Sequence, residues 1–190
     1  MPGKMLRCIF AATESEVESA IEKFGFQLRR ASPFRAYSNG SAWLVISGIG
    51  LVNAALAYCW AARALEFGDS ANIGAAGDVS GKFSLGDILR AGRVACVEPF
   101  DGEVFELPGG GAALASSARP AVSGSARERA SKFGDIVDME AYSLVSAARL
   151  LSKDIEVVKL VTDFSPECDI RANIVKLRHL IAGLDEFWTK

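Results

Sequence analysis

Residues 72–77 read Asn-Ile-Gly-Ala-Ala-Gly, an apolar run that is broken by small residues. Two other apolar runs end in a similar way, one in Ser47-Gly48-Ile49-Gly50 and one in Val161-Thr162-Asp163. Taken singly, each run is best explained as a strand followed by a tight turn. Glycines at such turns let a ligand approach the backbone, whose free N–H groups can hold an anion or a hydroxyl. Because ligands of open α/β sheets bind beyond the carboxyl ends of the strands, the three runs together predict a binding site.

Around these runs, apolar segments of strand length alternate with helical patterns. Strands are predicted at 5–11, 43–47, 87–97, 136–137 and 156–161, and helices at 13–24, 52–67, 139–151 and 170–188. The first helix opens with the capping-box pattern Thr13-x-x-Glu16. Residues 108–125 are rich in Gly, Ala and Ser, which predicts a surface loop or a weak strand. The alternation favours one α/β domain over residues 1–190 with a largely parallel central sheet.

Composition excludes several classes of protein. Half of the 190 residues are hydrophobic, 23% are charged and the formal net charge is -2, a globular composition without the basic excess of a nucleic-acid binder. No apolar stretch reaches membrane-spanning length, and Glu14, Glu16 and Glu18 follow the first strand too closely for a secretory signal. We therefore expect a cytoplasmic protein that contacts neither nucleic acid nor membrane.

Cysteine and histidine usage narrows the chemistry. The four cysteines are scattered without a CxxC pair, which favours reduced, buried thiols over disulfides. His179 is the only histidine, which strongly disfavours histidine-based zinc sites and Ser-His-Asp triads. Catalysis would have to use carboxylates, Lys or Arg side chains and backbone groups, and we expect no metal and no cofactor. A redox dinucleotide fold is disfavoured because Gly48-x-Gly50 lacks the third glycine and the later acidic residue.

Four short motifs follow one another between residues 45 and 163. They are Val45-Ile46-Ser47-Gly48-Ile49-Gly50, residues 72–77 with Leu85-Gly86-Asp87, Val137-Asp138-Met139-Glu140-Ala141, and Val158-Lys159-Leu160-Val161-Thr162-Asp163. Their order and content resemble the nucleoside phosphorylase and nucleosidase superfamily, which includes the methylthioadenosine/adenosylhomocysteine nucleosidases. The resemblance implies a three-layer α/β sandwich with a mostly parallel, mixed central sheet flanked by helices. It also implies cleavage of the N-glycosidic bond of a nucleoside.

The resemblance assigns roles to residues of the third and fourth motifs. Glu140 matches the carboxylate that binds the ribose 2′ and 3′ hydroxyls and stabilises the positive charge of the transition state. Met139 matches the residue that packs against the sugar. Asp163 matches the general acid that protonates or hydrogen-bonds the departing base. Lys159 lies where the family often has an arginine near the attacking water or phosphate, and a lysine lacks the arginine fork.

The second motif and the first turn complete the expected site. Ala76 and Gly77 match a turn that lines base and sugar. The first strand leads into Ala-Ala-Thr-Glu-Ser-Glu at 11–16, which resembles the nucleosidase pattern rather than the Gly-Asp-Pro loop that binds phosphate in phosphorylases. In nucleosidases a glutamate of this turn activates water. Glu16 is the first candidate for that role, Glu14 is the rival, and Glu16 is equally well explained as a helix-capping residue.

The chain departs from the family pattern between residues 97 and 136. It is shorter there than typical members, and Ser123-Gly124-Ser125-Ala126-Arg127 replaces the Ser-Gly-Asp-x-Phe segment whose aromatic ring stacks on the base. Phe100 or Phe105 would have to compensate, although both are better explained by hydrophobic packing. Arg127-Glu128-Arg129 is interpreted as a run of ordinary surface charges.

The leading hypothesis is a nucleosidase that hydrolyses a purine nucleoside, adenosine-like and in some cases 5′-modified, to the free base and a ribose moiety. A phosphate-dependent phosphorylase and a nucleoside-binding relative without catalysis are the alternatives. The substrate is the expected small-molecule partner. A homo-oligomer, with a dimer favoured, is expected because family members assemble in this way.

Overall fold

The computed structural model describes residues 5–98 and 104–189. The strands are β1 Leu6–Ala11, β2 Gln27–Arg30, β3 Arg35–Ser38, β4 Ala42–Ile46, β5 Phe67–Asp78, β6 Ile88–Cys96, β7 Val104–Glu106, β8 Ala112–Ser116, β9 Ile136–Asp138 and β10 Ile155–Asp163. The helices are α1 Glu14–Lys23, α2 Leu51–Ala64, α3 Gly124–Ser131, α4 Ala141–Leu150, α5 Ile170–Ile181 and α6 Asp185–Trp188.

The strands form a single mixed sheet that partly closes on itself. Its order is β10-β6-β8-β9-β5-β1-β4-β3-β2, with β7 paired to β6, and β10 also pairs with β5. The second pairing of β10 joins β5, β10, β6, β8 and β9 into a closed ring of five strands. From this ring the sheet continues through the parallel strands β1 and β4 to the antiparallel β2–β3 hairpin. The prediction of a mixed central sheet flanked by helices is confirmed.

Alternation along β1 divides the hydrophobic core into two main layers. Cys8 and Phe10 point into one layer, where α2 and α4 pack on each other, and Phe10 stacks on Tyr58 with ring centroids 4.9 Å apart. Ile9 and Ala11 point into the other layer, which α1 and α5 cover. Both faces of the strand are buried, which explains why β1 is a continuous apolar run in the sequence.

Three predicted elements differ from the structure. The second helix ends at Ala64, not at 67, because Phe67 and Gly68 begin the long strand β5. The Gly/Ala/Ser-rich stretch 108–125 contains a strand, as one of its two interpretations predicts, but that strand, β8, lies between β6 and β9 and is largely buried, not on the surface. The terminal helix is interrupted between Ile181 and Asp185, which lets Trp188 turn back into the core. The β2–β3 hairpin was not predicted, because only Ala36 and Ser38 of its eight residues are buried.

None of the helices within 5–98 and 104–189 is long and apolar enough to cross a membrane.

Candidate active site

A cavity of about 160 Å³ opens at the carboxyl ends of β1, β5, β9 and β10. This is the place that the three strand ends of the sequence predict. Residues from six parts of the chain line the cavity: Ala12, Thr13, Glu16, Ile49, Ala75, Ala76, Gly77, Pro120, Ala121, Arg127, Val137, Asp138, Met139, Glu140, Thr162, Asp163, Ile170 and Ile174. The structure therefore brings together six of the seven predicted site residues, and the seventh, Lys159, is not among those that line the cavity.

Glu140 enters the cavity from the start of α4. It occupies the N-cap position, is buried, and its Oε1 accepts a hydrogen bond from the Gly50 N–H at 2.8 Å. Gly50 has φ 103°, a conformation that a residue with a side chain rarely adopts. Burial and the neighbouring Asp138 carboxylate raise the pKa of Glu140 from 4.5 to about 7, while Lys159 and the Gly50 N–H act in the opposite direction.

A buried polar cluster holds the start of α4 in place. Asp138 pairs with Lys159 at 2.7 Å, and both side chains are at most 1% exposed. Asp138 also accepts from Ser116 Oγ at 2.5 Å and from the Ala141 N–H at 2.9 Å. Lys159 thus lies behind the cavity wall, where its charge acts on Asp138 and Glu140 without direct access to a ligand in this arrangement.

Glu16 has two roles in the structure. Its Oε2 accepts from the Thr13 N–H at 2.7 Å and from Thr13 Oγ1 at 3.1 Å, which completes the predicted capping box. Its Oε1 reaches across to β5 and accepts from the Ala75 N–H at 2.8 Å. Glycine at 74 favours this approach, because a Cβ there would lie 3.0 Å from Glu16 Oε1, closer than an ordinary van der Waals contact. Capping and a position in the cavity wall are therefore compatible.

Glu14, the rival candidate, points away from this cavity. Its carboxylate pairs with Arg35 at 2.7 Å and accepts a hydrogen bond from the Tyr37 hydroxyl. The Tyr37 hydrogen bond and, after it, the Arg35 guanidinium lower the pKa of Glu14. Glu14 is thus tied to the β2–β3 hairpin, and of the two glutamates Glu16 alone lies in the cavity wall.

Asp163 ends β10 and lies against Gly77 of β5. The two residues are paired in the parallel register, and a Cβ at position 77 would lie 2.6 Å from Asp163 Oδ2. Glycine at this position is therefore what allows the carboxylate to lie flat against the neighbouring strand. The side chain is 6% exposed, and its Oδ2 forms an ion pair with Arg127 Nη1 at 2.5 Å.

Arg127 corrects the interpretation of residues 127–129 as surface charges. Arg129 is exposed and pairs with Glu98, as expected, but Arg127 is buried in the cavity wall. Its guanidinium donates to Asp163, to the Ala121 carbonyl at 3.3 Å and to the Asp78 carbonyl. The sequence gives little sign of this, because a charged triplet in a short helix usually faces solvent and its partner lies 36 residues away.

The base-stacking aromatic ring that the family resemblance leads one to expect has no counterpart in the described wall. Phe105 packs on Tyr142, with ring centroids 5.1 Å apart, as the packing interpretation predicts. Phe100 lies outside the described residues. The faces of the cavity between Glu140 and Asp163 are instead aliphatic, formed by side chains such as Ile49, Val137 and Ile170.

Within 5–98 and 104–189, no group of three or more His, Cys, Asp or Glu side chains is arranged to hold a metal ion.

Comparison with solved structures identifies the architecture. The chain superimposes on the 5′-methylthioadenosine/S-adenosylhomocysteine nucleosidase of Helicobacter pylori, crystallised with butyl-thio-DADMe-Immucillin-A, with a TM-score of 0.85 and 16% identity over 97% of each chain. The chain has the nucleosidase fold. The same fold recurs in the futalosine hydrolase of Helicobacter pylori, with a TM-score of 0.83 and 16% identity over 97% of each chain.

A third match to the nucleosidase fold comes from Neisseria meningitidis. Its 5′-methylthioadenosine/S-adenosylhomocysteine nucleosidase, in complex with methylthio-immucillin-A, has a TM-score of 0.77 and 20% identity over 95% of this chain and all of that one. No protein-family model matches the sequence, and no curated protein matches it either. The resemblance that the four motifs suggest is confirmed at the level of the fold, which the chain shares over nearly its whole length.

Proposed function

We propose that the chain, as one domain, is a nucleosidase that hydrolyses the N-glycosidic bond of a purine nucleoside. The observation that carries the proposal is the convergence of carboxylates on one cavity: besides Asp138, which Lys159 pairs, they are Glu140 at the start of α4, Asp163 at the end of β10 and Glu16 in the first turn of α1. They come from distant parts of the chain and meet at the strand ends where ligands of α/β folds bind. Adenosine-like nucleosides, including 5′-modified ones, are the substrates that the resemblance suggests.

Glu140 is proposed to hold the ribose. A carboxylate accepts two hydroxyl hydrogen bonds, and one of its oxygens is already fixed by the Gly50 N–H. As the bond between C1′ and the base breaks, its electron pair leaves with the base and the ribose becomes positively charged. An ionised Glu140 in a buried site stabilises that charge more strongly than it stabilises the neutral substrate, so it increases the rate. Met139 lines the same part of the cavity and would pack against the sugar.

Glu16 is proposed to activate the attacking water. A carboxylate has about four lone-pair sites, and three hydrogen bonds from Thr13 and Ala75 occupy three of them. One acceptor site on Oε1 is left for a water, and the other three bonds fix its direction. The water would add to C1′ and give its proton to Glu16.

Asp163 and Lys159 complete the proposed machinery. Asp163 would contact the departing base, either accepting a hydrogen bond from it as the carboxylate that pairs with Arg127 or taking up a proton from solvent and passing it to the base. Ala76 and Gly77 would line the space between base and sugar. Lys159 is proposed as a positioning residue, because its buried pair with Asp138 holds the turn that presents Glu140. This differs from direct contact with water or phosphate, the role that the resemblance implies for this position.

Base release from a nucleoside panel tests the proposal. Methylthioadenosine, adenosylhomocysteine, adenosine, inosine and a futalosine-type compound would each be incubated with and without phosphate and the products separated by chromatography. We expect base release that does not depend on phosphate. Its rate should fall by at least 100-fold in Glu16→Gln and be retained in the matched control Glu14→Gln. Release only with phosphate would identify a phosphorylase, and binding without release would identify a nucleoside-binding protein.

The oligomeric state is also proposed. Val52 and Leu56, on the first two turns of α2, are 72% and 57% exposed, and Ile49, two residues before the helix, is 57% exposed. Together with Tyr142 and Ala118 they line an open apolar groove beside the cavity. Single exposed apolar residues are ordinary, but a contiguous patch favours an interface. We propose that this surface joins two copies into a homodimer.

A further inference from the structure

A second cavity, of about 220 Å³, lies at the opposite end of the sheet from the candidate active site. Its wall contains Ser70 near the start of β5 and Ile155 at the start of β10, whereas the candidate active site lies where these parallel strands end. β10 is nine residues long, so its two ends lie roughly 26 Å apart at the rise of a strand. No residue of the proposed nucleosidase machinery lines the second cavity.

The three consecutive glycines at 109–111 help to form one wall of the second cavity. Leu107 and Pro108 line it from the connection between β7 and β8, and the glycine turn that follows them lies directly on β6. Gly111 has φ 138°, and a Cβ there would overlap the carbonyl oxygen of Arg90. A side chain at 111 would therefore push the turn off β6 and move the wall with it.

Two arginines of this wall are already paired with carboxylates. Arg7 is 5% exposed, and its Nη2 donates to Glu156 Oε1 at 3.2 Å and lies 3.7 Å from Asp69. Arg90 pairs with the same Glu156 and, at 3.2 Å, with Glu186. The charges of Arg7 and Arg90 are thus compensated within the protein, and neither is needed for a ligand.

Arg149 and Lys153 are the two other cations of the wall, and both lack a carboxylate partner. Arg149, near the end of α4, donates from Nη2 to the Glu106 carbonyl at 2.8 Å. Lys153 donates to the Phe67 carbonyl at 3.1 Å, and its Nζ lies 4.5 Å from the centroid of the Phe67 ring. In residues 5–98 and 104–189 neither side chain forms an ion pair. Each has further N–H groups and an uncompensated positive charge.

The carbonyls that anchor these two cations adjoin the second cavity. Glu106 precedes Leu107, and Phe67 lies two residues before Asp69, and both Leu107 and Asp69 line the cavity. The one carboxylate of the wall without an ion pair to a described residue is Asp154, which is exposed. An anion beside Arg149 and Lys153 would therefore meet two unpaired positive charges and one negative charge.

We propose that the second cavity binds a small phosphate monoester, with the phosphate at Arg149 and Lys153. A phosphate ester carries a charge of about −1.5 to −2 at pH 7, which two cations balance. An arginine fork and a lysine point charge are both common phosphate ligands. Leu107, Ile155 and Val157 are buried apolar residues of the wall, against which the carbon chain of the ester would pack. The volume is below the roughly 300 to 1,000 Å³ of sites for drug-sized ligands, so the ester is small.

Calorimetry in a phosphate-free buffer tests this inference. Butyl phosphate, inorganic phosphate and butanol would be titrated into the wild type, Arg149→Met, Lys153→Met and the control Lys176→Met, at an exposed lysine of α5 outside the cavity. We expect butyl phosphate to bind more tightly than inorganic phosphate, which leaves the apolar wall uncovered, and butanol not to bind. Arg149→Met and Lys153→Met should each weaken the binding of butyl phosphate by roughly 10- to 100-fold, and the control should not.

Asp154→Asn provides a test of opposite sign. It removes the negative charge beside Lys153 and should tighten the binding of butyl phosphate by roughly 2- to 5-fold. No binding of butyl phosphate, equal binding of butanol, weaker binding in Asp154→Asn, or unchanged affinity in folded Arg149→Met or Lys153→Met overturns the phosphate site. Equal affinity for inorganic phosphate overturns the ester.

The two cations have separate anchors, so either variant decides the question if the other fails to fold. Base release from the nucleoside panel tests the nucleosidase proposal separately, because none of these variants changes a residue that lines the candidate active site. A phosphate site without base release, or base release without a phosphate site, would leave one proposal standing and overturn the other.

Discussion

At the residue scale, the pair of Arg127 and Asp163 links the proposed chemistry to stability. Both side chains are less than a tenth exposed, so each depends on the other to offset the loss of hydration. Asp163→Asn should reduce base release by at least 100-fold, because the carboxylate beside the base is lost. It should also lower the free energy of unfolding by about 3 kcal/mol, since it leaves a buried guanidinium without its counter-charge. Chromatography and urea denaturation measure the two effects.

The control for this prediction is the double variant that also carries Arg127→Met. Removing both charges should restore most of the stability without restoring activity, because an apolar replacement of a buried pair is often neutral. If Asp163→Asn is as stable as the wild type, the ion pair contributes nothing to the fold. If it retains activity, Asp163 has no part in base departure.

Glu140 should make both activity and stability depend on pH. Its pKa of about 7 means that the free protein carries this carboxylate half-protonated near neutrality. Only the ionised form can accept both ribose hydroxyls and stabilise positive charge, so kcat/KM should rise with pH through about 7. The rise should be absent from the residual activity of Glu140→Gln. A profile that is flat between pH 6 and 8 in the wild type would contradict the role of Glu140.

The same group predicts the direction of the change in stability with pH. The folded state holds the Glu140 proton more tightly than the unfolded chain, whose ordinary value is 4.5. The contribution of Glu140 to stability is therefore fully present below pH 4.5 and is lost as the pH rises through about 7. The loss is on the order of 3 kcal/mol. Urea midpoints across this range should decrease less steeply in Glu140→Gln than in the wild type, and equal slopes would contradict the shift.

At the scale of elements, the small residues at the end of β5 leave room for the Asp163 carboxylate beside the strand. A Cβ at Gly77 would lie 2.6 Å from Asp163 Oδ2, yet the backbone of Gly77 is an ordinary strand that alanine can adopt. Gly77→Ala should therefore displace the Asp163 carboxylate and reduce kcat by roughly 10- to 100-fold, in line with the cost of a misplaced catalytic group. Gly124→Ala is the matched control, because a Cβ there meets nothing within 4 Å. Comparable losses in both variants would contradict this account.

The elements also show which strands the sequence predicts and why it does not predict the others. β1, β4 and β10 are largely apolar runs because both of their faces are mostly buried, so composition is sufficient to predict them. The sequence predicts Phe67 as the end of the preceding helix and places no strand at residues 68–70. Gly68, Asp69 and Ser70 have low strand propensity, and pairing with β1 and β10 makes this stretch part of β5. The same applies to β8, whose Ala-rich sequence gives no sign of its central position.

The site residues show the same difference between what local sequence predicts and what depends on tertiary contacts. The capping role of Glu16 follows from its spacing to Thr13, and Glu140 and Asp163 were selected from motifs that are continuous in the chain. The prediction for Arg127 is wrong, because two of its three partners are 36 and 49 residues away and nothing in its neighbourhood distinguishes it from Arg129. Position at the end of a strand can be predicted from local sequence, whereas a contact between distant elements requires the fold.

At the scale of the whole molecule, the closed ring determines where chemistry can take place. Because β10 pairs with both β5 and β6, the ends of β5, β9 and β10 are drawn to one point instead of being spread along an open sheet edge. The side chains that the strands of this ring bury are mostly alanine, valine, leucine and isoleucine. This is consistent with a fold retained at 16% identity, since many different apolar sequences can fill such a core.

Assembly should matter at the same scale, because Ile49 belongs to both the cavity wall and the apolar groove beside it. A partner that covers Leu56 would also shield the cavity mouth from water. Light scattering should give the wild type a mass of twice the 20.2 kDa of one chain. Leu56→Glu should have the mass of the monomer, because a charge buried at the interface has no counter-ion. Leu56→Glu should also raise KM, since the mouth is left open.

Leu150→Glu is the control, at a residue that is 80% exposed and outside the groove, and it should leave both mass and KM unchanged. A wild type that remains monomeric at high micromolar concentration would show that the patch has another use and that the cavity is complete within one chain.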